Sequence, residues 1–523
     1  MTTTITPTDP LMTTTSHVFE SPEGGKLRAR DKKSDLFLAA VTTTAGDTHY
    51  ENEDARDGRI RQLTSDIARE DPGWLLRLAR WARDEGNMRR VSMVITQAMV
   101  KDRLDRRVDD HTPGKPGLSR VAANVACVRA DEPSRMLEYW EKTYGKPFPK
   151  PLKRGLADAC VRLYTERSAL KYDTDALKYR FGDVLEICHP TPRDDKQGDL
   201  FAWLLNRRHG RKVEHFPSLE MIDENEHSKE HAKEDLASER ARIICNPEIL
   251  GRAGMTWENL SGMGEMDAAA WEAMIPHMGY MALLRNLRNF DKAEISNEAR
   301  AQVRARLTDP DAVAKSRQFP FRFLSAYMNS SKGWHVTLET ALDLSLSNVP
   351  HLPGRTLELV DCSGSMWDQS GWFQPVARTS GTPDRAQKAG LFAAAFARRS
   401  DCEVWAFGSF GNEYQVDTSV KPLAVANGLK SLGGTDTSAT LKEIWRKRGP
   451  FDRVVILTDE QIGRGSVGNQ IPKDVMLYTF NIAGYAGAQT KATPTRHTFG
   501  GLTDQGFSAI PAIEQGLTYD WPF

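Results

Sequence analysis

The chain has 523 residues and no net charge, 70 Lys+Arg against 70 Asp+Glu. That length suits roughly three to four domain-sized units, and the charge balance excludes a protein that holds nucleic acid by bulk charge, because phosphate binding needs positive groups where the backbone lies. No run of about 18 apolar residues occurs, which excludes a membrane-spanning helix, and the six cysteines (Cys127, Cys160, Cys188, Cys245, Cys362 and Cys402) form no C-x-x-C, so they read as reduced thiols of a cytosolic protein.

Met1 to Ser16 is Thr-rich without an apolar stretch. It is not a signal peptide, and residues 1–24 are expected to be disordered. From about residue 57 to 345 helix signals dominate. Asp71-Pro72 supplies an N-cap and a proline at the first helical position, followed by Leu75, Leu76, Leu78, Ala79, Trp81 and Ala82 at helical spacing, with a stop at Gly86. A second stripe runs from Met88 to Val100. Glu132-Pro133 opens a helix closed by Gly145, and further helices fit Lys153 to Glu166, Asp175 to Phe181 and Asp199 to Arg208. Short turns between amphipathic helices predict antiparallel helix pairs, as in an α-solenoid.

The pattern changes near Pro350–Gly354. Strand Thr356–Val360, helix Asp384–Arg399, strand Cys402–Phe407, helix Thr437–Lys447, strand Arg453–Leu457 and strand Val475–Ile482 follow. Strands alternating with helices predict a parallel, doubly wound sheet. Residues 351–523 carry 17 basic and 17 acidic residues, leaving 53 of each before them, so neither half is basic. The expected organisation is 1–24, a helical-repeat domain over 25–349 and an α/β domain over 350–523.

Three strand-end segments of the α/β part carry oxygen ligands. Asp361-Cys-Ser363-Gly-Ser365 follows the first strand, Gly433-Gly-Thr435 presents a hydroxyl before a helix, and Asp459 ends the Val454–Leu457 strand. An open α/β sheet places its ligand site at the carboxyl ends of its strands. Hydroxyls with few carboxylates suit Mg²⁺, which keeps several waters and can accept a partner's oxygen. The bland alternative is a set of caps and turn residues, or a formed site whose metal serves structure only.

In order and spacing these residues resemble the metal-ion-dependent adhesion site of the von Willebrand factor A domain. The helical part resembles the TROVE domain of the Ro 60 kDa autoantigen family, on Lys178-Tyr179-Arg180, Leu185-Glu-Ile-Cys-His189-Pro190, Met281-Ala-Leu-Leu-Arg285-Asn286-Leu-Arg288-Asn289-Phe290 and Gln318-Phe-Pro-Phe-Arg-Phe-Leu324. The resemblance covers about residues 25–523. It implies a monomeric ring of HEAT-like helix pairs clasped by a von Willebrand factor A domain, and a cytoplasmic, non-catalytic RNA-binding protein of RNA quality control. It implies Y-like small RNAs on the outer surface, 3′ ends of misfolded or damaged non-coding RNAs in a central hole, and a link to the exoribonuclease polynucleotide phosphorylase. By this resemblance Lys178, Arg180 and His189 belong to the outer RNA face.

The residues themselves add basic groups around His189, namely Lys171, Lys178, Arg180, Arg207, Arg208, Arg211 and Lys212, with Tyr179 available for stacking. The excess is mild, 13 basic against 9 acidic over 151–212. Lys153 and Arg154 at one helix start and Arg89-Arg90 at another are further phosphate candidates, since helix N-termini offer free N–H groups. The alternatives are ordinary solvated surface, and for His189 a capping role. Arg285 and Arg288 are expected either to face the hole or to be structural.

His227-Ser-Lys-Glu230-His231 spells H-x-x-E-H, an inverted zinc-protease motif. Its surroundings, Asp223 to Asp235, are nearly all charged or polar, so a solvated helix or loop is expected rather than a dry catalytic cleft. Three functions follow: an RNA-binding ring, a metal-dependent protein-interaction scaffold, and, remotely, a zinc hydrolase.

Overall fold

The computed structural model describes residues 18–20, 26–28, 32–42, 53–86, 88–108, 115–211, 215–231, 242–367, 383–459, 467–482, 495–500, 502, 506–518, 521 and 523. Most of 1–24, together with Lys212, therefore lies outside the described residues. The contacts fall into two compact units. One holds Ile60–Gly279 with Lys292–Arg300; the other holds Tyr280–Asp291 and Ala301–Pro522 with the described part of 1–59.

In chain order, strands β1 (Val18–Glu20) and β2 (Lys26–Arg28) pair antiparallel, ahead of helices α1 (Lys32–Thr42) and α2 (Glu53–Glu70). The helical unit then runs through α3 (Pro72–Asp84), α4 (Arg89–Asp105), α5 (Leu118–Val125), α6 (Glu132–Tyr144), α7 (Lys150–Leu163), α8 (Glu166–Tyr172), α9 (Phe181–Cys188), α10 (Asp195–Arg208), α11 (Glu220–His231), α12 (Pro247–Arg252), α13 (Trp257–Met263) and α14 (Ala268–Met274). Helices α15 (Tyr280–Lys292), α16 (Asn297–Leu307), α17 (Pro310–Ser316), α18 (Pro320–Asn329) and α19 (His335–Ser345) precede the sheet.

Local chemistry explains most boundaries. Asp71 Oδ1 accepts the Trp74 N–H at 3.0 Å and α3 buries Leu75, Leu78, Ala79 and Ala82. Gly145 ends α6 with φ 76°, a conformation that favours glycine. Helix α7 stops at Leu163, three residues before the expected end, because Thr165 and Ser168 cap a separate helix α8 reciprocally. The helix expected over Asp175–Phe181 does not form. Asp173 Oδ1 accepts the Phe181 N–H at 2.9 Å and the Arg180 guanidinium closes on the same carboxylate, so 174–180 is a turn and the helix begins at Phe181. Helices α5 and α7 approach so closely that a side chain at Gly155 would meet the Arg120 carbonyl and come within 2.6 Å of the Ala123 Cβ.

The α/β part comprises β3 (Thr356–Asp361), α20 (Arg385–Ala397), β4 (Cys402–Phe407), β5 (Tyr414–Gln415), α21 (Pro422–Gly428), α22 (Thr437–Arg448), β6 (Arg453–Thr458), β7 (Met476–Asn481), β8 (Arg496–Gly500) and α23 (Gly506–Thr518). The sheet order is β5-β4-β3-β6-β7-β8. All neighbours are parallel except the short edge strand β5, which pairs antiparallel with β4. Strand β3 is central, and Leu357 and Leu359 on one side of it pack with Leu441 and Ile444 of α22. On the other face Phe392 of α20 meets Phe480 of β7 at 5.1 Å and Phe507 of α23 at 4.5 Å. Helices therefore cover both faces, as a doubly wound sheet requires.

The Gln318–Leu324 segment packs against this face. Phe319 stacks on Phe507 at 5.5 Å, and Phe321 lies 5.5 Å from Phe507 and 6.2 Å from Phe392. Phe323 is fully buried and meets Tyr280 of α15 at 6.2 Å. The alternating aromatics just before and within α18 are thus packing residues that tie helical chain to the sheet.

Candidate functional site

The strand-end oxygen cluster forms. Asp361 closes the central strand, between β4 and β6, and Thr458 Oγ1 donates to its Oδ2 at 2.6 Å. The Ser363 N–H donates to Asp361 Oδ1 at 2.8 Å, and the Ser363 and Ser365 hydroxyls lie 3.3 Å apart. Two backbone bonds clasp the Thr435 loop to this turn: Leu432 N–H to the Cys362 carbonyl at 2.8 Å, and Gly364 N–H to the Gly433 carbonyl at 2.9 Å. Gly433 has φ 87°, and a Cβ there would come within 2.9 Å of Ser409 Oγ, so the turn needs a glycine. Asp459 follows β6 directly. Both carboxylates are fully buried, Ser363 is buried, and Ser365 and Thr435 are half-buried.

Burial raises the Asp361 acid to about 6, against hydrogen bonds from Thr458 and Ser363 that lower it, and the Asp459 charge adds to the rise. Two buried carboxylates and three hydroxyls, from three loops, fit a hard divalent cation. Among the described residues no group of three or more His, Cys, Asp or Glu side chains converges, so a cation here depends on the hydroxyls.

The basic candidates do not gather around His189. Arg180 and Arg207 converge on Asp173, at 2.8 and 3.7 Å, and Arg208 pairs with Asp183 at 2.7 Å, all at the N-terminal end of α9. Arg180 also pairs with Asp175, so its guanidinium is spent holding the turn. Burial first, then a hydrogen bond to Glu141, raises the Tyr179 phenol; the side chain is 8% exposed and its ring packs edge-on against Phe148. Tyr179 is therefore core, not a stacking platform. Lys178 is exposed and pairs with Glu141 at 2.6 Å, and with Tyr179 it holds that acid down to about 2.

His189 sits at the opposite, C-terminal end of α9. It is exposed, with φ 50°, and caps the helix through its backbone N–H to the Leu185 carbonyl. Lys153 lies near it on α7, where its charge draws down the neighbouring Cys188 thiol that burial lifts to about 12. Arg154 is exposed one residue on. In the other unit Arg285 and Arg288 are exposed on α15, while Asn286 is buried and donates to the Ala282 carbonyl at 2.8 Å.

A second basic cluster joins Arg89 and Lys171, which the sequence singled out separately, to Arg83 and Arg129, which it did not. Arg83 and Glu132 form a buried pair, 2.5 Å apart, and Glu132 also accepts the N–H groups of Val128 and Arg129 at 2.6 and 2.8 Å. Arg89 approaches Glu132 at 3.7 Å, Arg129 pairs with Asp131, and both Arg129 and Lys171 stand over the Tyr172 ring at 5.2 and 5.1 Å. Burial and the charges of Arg129 and Arg83 lower the Arg89 guanidinium, a sign of crowded cations. The local signals were the Arg89-Arg90 pair at the start of α4 and the Glu132-Pro133 helix start; their meeting is long-range. Arg90 is exposed beside Arg89.

The H-x-x-E-H segment lies on α11. His227 and Glu230 are exposed, the His227 and His231 rings lie 3.9 Å apart, and His231 Nδ1 sits 3.0 Å from the His227 carbonyl oxygen. The helix does have a buried face, Ile222, Asn225 and Ser228, contrary to expectation, because Asn225 donates to the Ala253 carbonyl at 2.8 Å. The histidines lie off that face.

Comparison with known proteins agrees with this architecture. Residues 249–348 match the family model of the TROVE domain. Telomerase protein component 1 of Mus musculus is 39% identical over 79 residues, 15% of this chain and 3% of that protein. The same component of Rattus norvegicus is 40% identical over 74 residues, 14% of this chain and 3% of that protein. The chain thus spans about 3% of the length of these curated relatives. The crystal structure of the Deinococcus radiodurans Ro (RSR) protein aligns with a TM-score of 0.68 at 16% identity, over 92% of this chain and 100% of that one. The fold, a helical part followed by a six-stranded α/β domain, is the one that this solved structure shows. The TROVE match covers residues 249–348, and over the rest of the chain the likeness to the solved protein is one of fold. Among the described residues no helix is long and apolar enough to cross a membrane.

Proposed function

We propose that the chain binds small structured RNA through the two basic clusters of its helical unit, without catalysing a reaction. The carrying observation is the Arg89–Arg129–Lys171 group around Tyr172, where cations and an aromatic ring share one surface, as RNA backbone and base contacts require. Lys178, Arg207, Arg208, His189, Lys153 and Arg154 extend the contact along α9, an eight-residue helix about 12 Å long. Arg180 acts as a positioning residue beneath it. The family resemblance supports Y-like small RNA as the ligand of this surface, 3′ ends of misfolded or damaged non-coding RNA as further ligands, and a cytoplasmic role in RNA quality control.

The test is a gel shift with an unlabelled-competitor series, using a Y-like stem-loop transcript at about 50 and 200 mM salt. Binding that weakens steeply with salt supports the reading; no shift at the lower salt refutes it.

A second reading concerns the α/β domain. Asp361, Ser363, Ser365, Thr435 and Asp459 would hold Mg²⁺, and a bound ion would supply an open position for a partner's carboxylate, with polynucleotide phosphorylase or another exoribonuclease as the partner class. Buried Asp361 and Asp459 favour it, since buried carboxylates call for a counter-charge. Calorimetric titration with Mg²⁺ should show one site that Asp361→Ala removes while RNA binding persists. Retention of the heat signal in that variant would place the ion elsewhere.

A further inference from the structure

The helical unit contains a cleft of about 300 Å³ between α8, the start of α10 and the start of α11. Its apolar wall includes Leu200 and Leu219, both buried, and the half-buried Met221. Arg167, Arg193 and Lys196 line it with Glu166 and Asp194. The two acids are already committed. Glu166 Oε2 accepts the Met221 and Ile222 N–H groups at 2.8 and 3.0 Å, and its Oε1 pairs with Lys196 at 2.8 Å. The protein's own carboxylate thus fills the anion position at the N-terminus of α11. Asp194 caps α10 by accepting the Gln197 N–H at 2.8 Å, and it meets Arg193 at 3.2 Å with both side chains half exposed, a weak surface pairing. Arg167 is exposed and has no ion pair among the described residues.

We propose that this cleft holds one nucleotide of single-stranded RNA, its base against Leu200, Leu219 and Met221 and its phosphate on Arg167 and Arg193. The proposal rests on the RNA-binding reading and deepens it. The volume lies at the small end of ligand sites, which suits one nucleotide rather than an extended ligand. An apolar wall beneath the Arg167 guanidinium and the weakly paired Arg193 asks for a flat apolar group that carries an anion. The polar groups also predict how the base is read. Gln197 Nε2 donates to the Val161 and Tyr164 carbonyls at 2.9 and 3.2 Å, and its Oε1 accepts the Arg193 N–H at 3.0 Å. The Tyr164 ring is stacked on Phe181 at 4.2 Å. Gln197, Glu166 and Lys196 are therefore occupied, the Thr165 hydroxyl already accepts the Ser168 N–H at 3.2 Å and keeps a single donor, and the cleft discriminates weakly between bases.

The experiment measures fluorescence polarisation of labelled hexauridylate and hexaadenylate on the full chain. The two probes should bind within about threefold of each other, as apolar and backbone contacts with little edge readout imply. Met221→Trp, which fills the cleft, and Arg167→Glu should each weaken both probes about tenfold, the second with a salt slope smaller by about one. Thermal melting of each variant separates lost binding from lost folding, and the exposed Arg167 site keeps the test valid should Met221→Trp unfold. Hexamer affinity unmoved by Arg167→Glu, tenfold discrimination between the probes, or stronger competition by a phosphoserine peptide would each overturn the cleft assignment. A structured RNA that still shifts in those cases leaves the RNA-binding reading standing; failure of both hexamer and structured RNA on the unaltered chain removes both.

Discussion

Phe507 is the hub of an aromatic cluster. Its ring meets Phe392 at 4.5 Å, Phe396 at 5.3 Å, and Phe319 and Phe321 at 5.5 Å each, and the side chain is fully buried. Phe507→Ala removes a buried phenyl ring and leaves four rings facing a cavity. Core Phe→Ala changes cost about 3–5 kcal/mol, and four lost ring contacts favour the upper part, about 4. For a unit of this size that lowers the melting temperature by about 8–16 °C. Phe507→Leu keeps most of the volume and should cost less than half as much. Differential scanning calorimetry of the three proteins checks this. Because Phe319 and Phe321 lie before and within α18, hydrogen exchange of 319–329 should rise together with that of α23. A cost below about 1 kcal/mol, or equal costs for the Ala and Leu changes, would refute the hub role.

Glu132→Ala should cost about 3–5 kcal/mol in urea unfolding, because Arg83 is left buried and unpaired and the Val128 and Arg129 N–H groups lose their acceptor; a cost under about 1 kcal/mol would contradict the buried pair. Glu358 on β3 is fully buried with neither carboxyl oxygen hydrogen-bonded, and burial raises its acid well above the ordinary range, with Arg453 drawing it partly back. The folded chain thus holds a proton that the unfolded chain releases, so this group's stabilisation is complete below the ordinary glutamate range and is lost as pH rises toward its folded value, by up to about 1.4 kcal/mol per pH unit. Glu358→Gln should remove that slope, and its stability relative to the unaltered chain should grow between pH 5 and pH 8; an unchanged difference in urea midpoints would rule the account out. Arg129→Glu and His189→Glu should each weaken structured-RNA binding, the first more strongly because it also reverses the charge over Tyr172, with the salt slope falling by about one per lost phosphate contact in a filter-binding series.

What the sequence determined by itself was carried by near neighbours, although the Thr165–Ser168 capping box and the Asp173 turn show that not every local signal was legible. Asp71-Pro72 started a helix because the cap and the N–H it accepts lie three residues apart, and Asp361-x-Ser363-x-Ser365 announced a strand-end oxygen cluster because a strand end and its turn are contiguous. The Thr435 and Asp459 segments were legible for the same reason, each being a strand or helix edge with its own turn chemistry. Tertiary structure decided what needed distant partners. It paired Arg208 with Asp183, buried Tyr179 against Phe148, and split the basic residues between the two ends of α9. It joined Arg89 to Glu132 and Arg129, and turned Phe319 and Phe321 toward Phe507. A charged or aromatic side chain looks the same in sequence whether it faces water or a partner far along the chain, and only folding supplies the neighbour that settles its role.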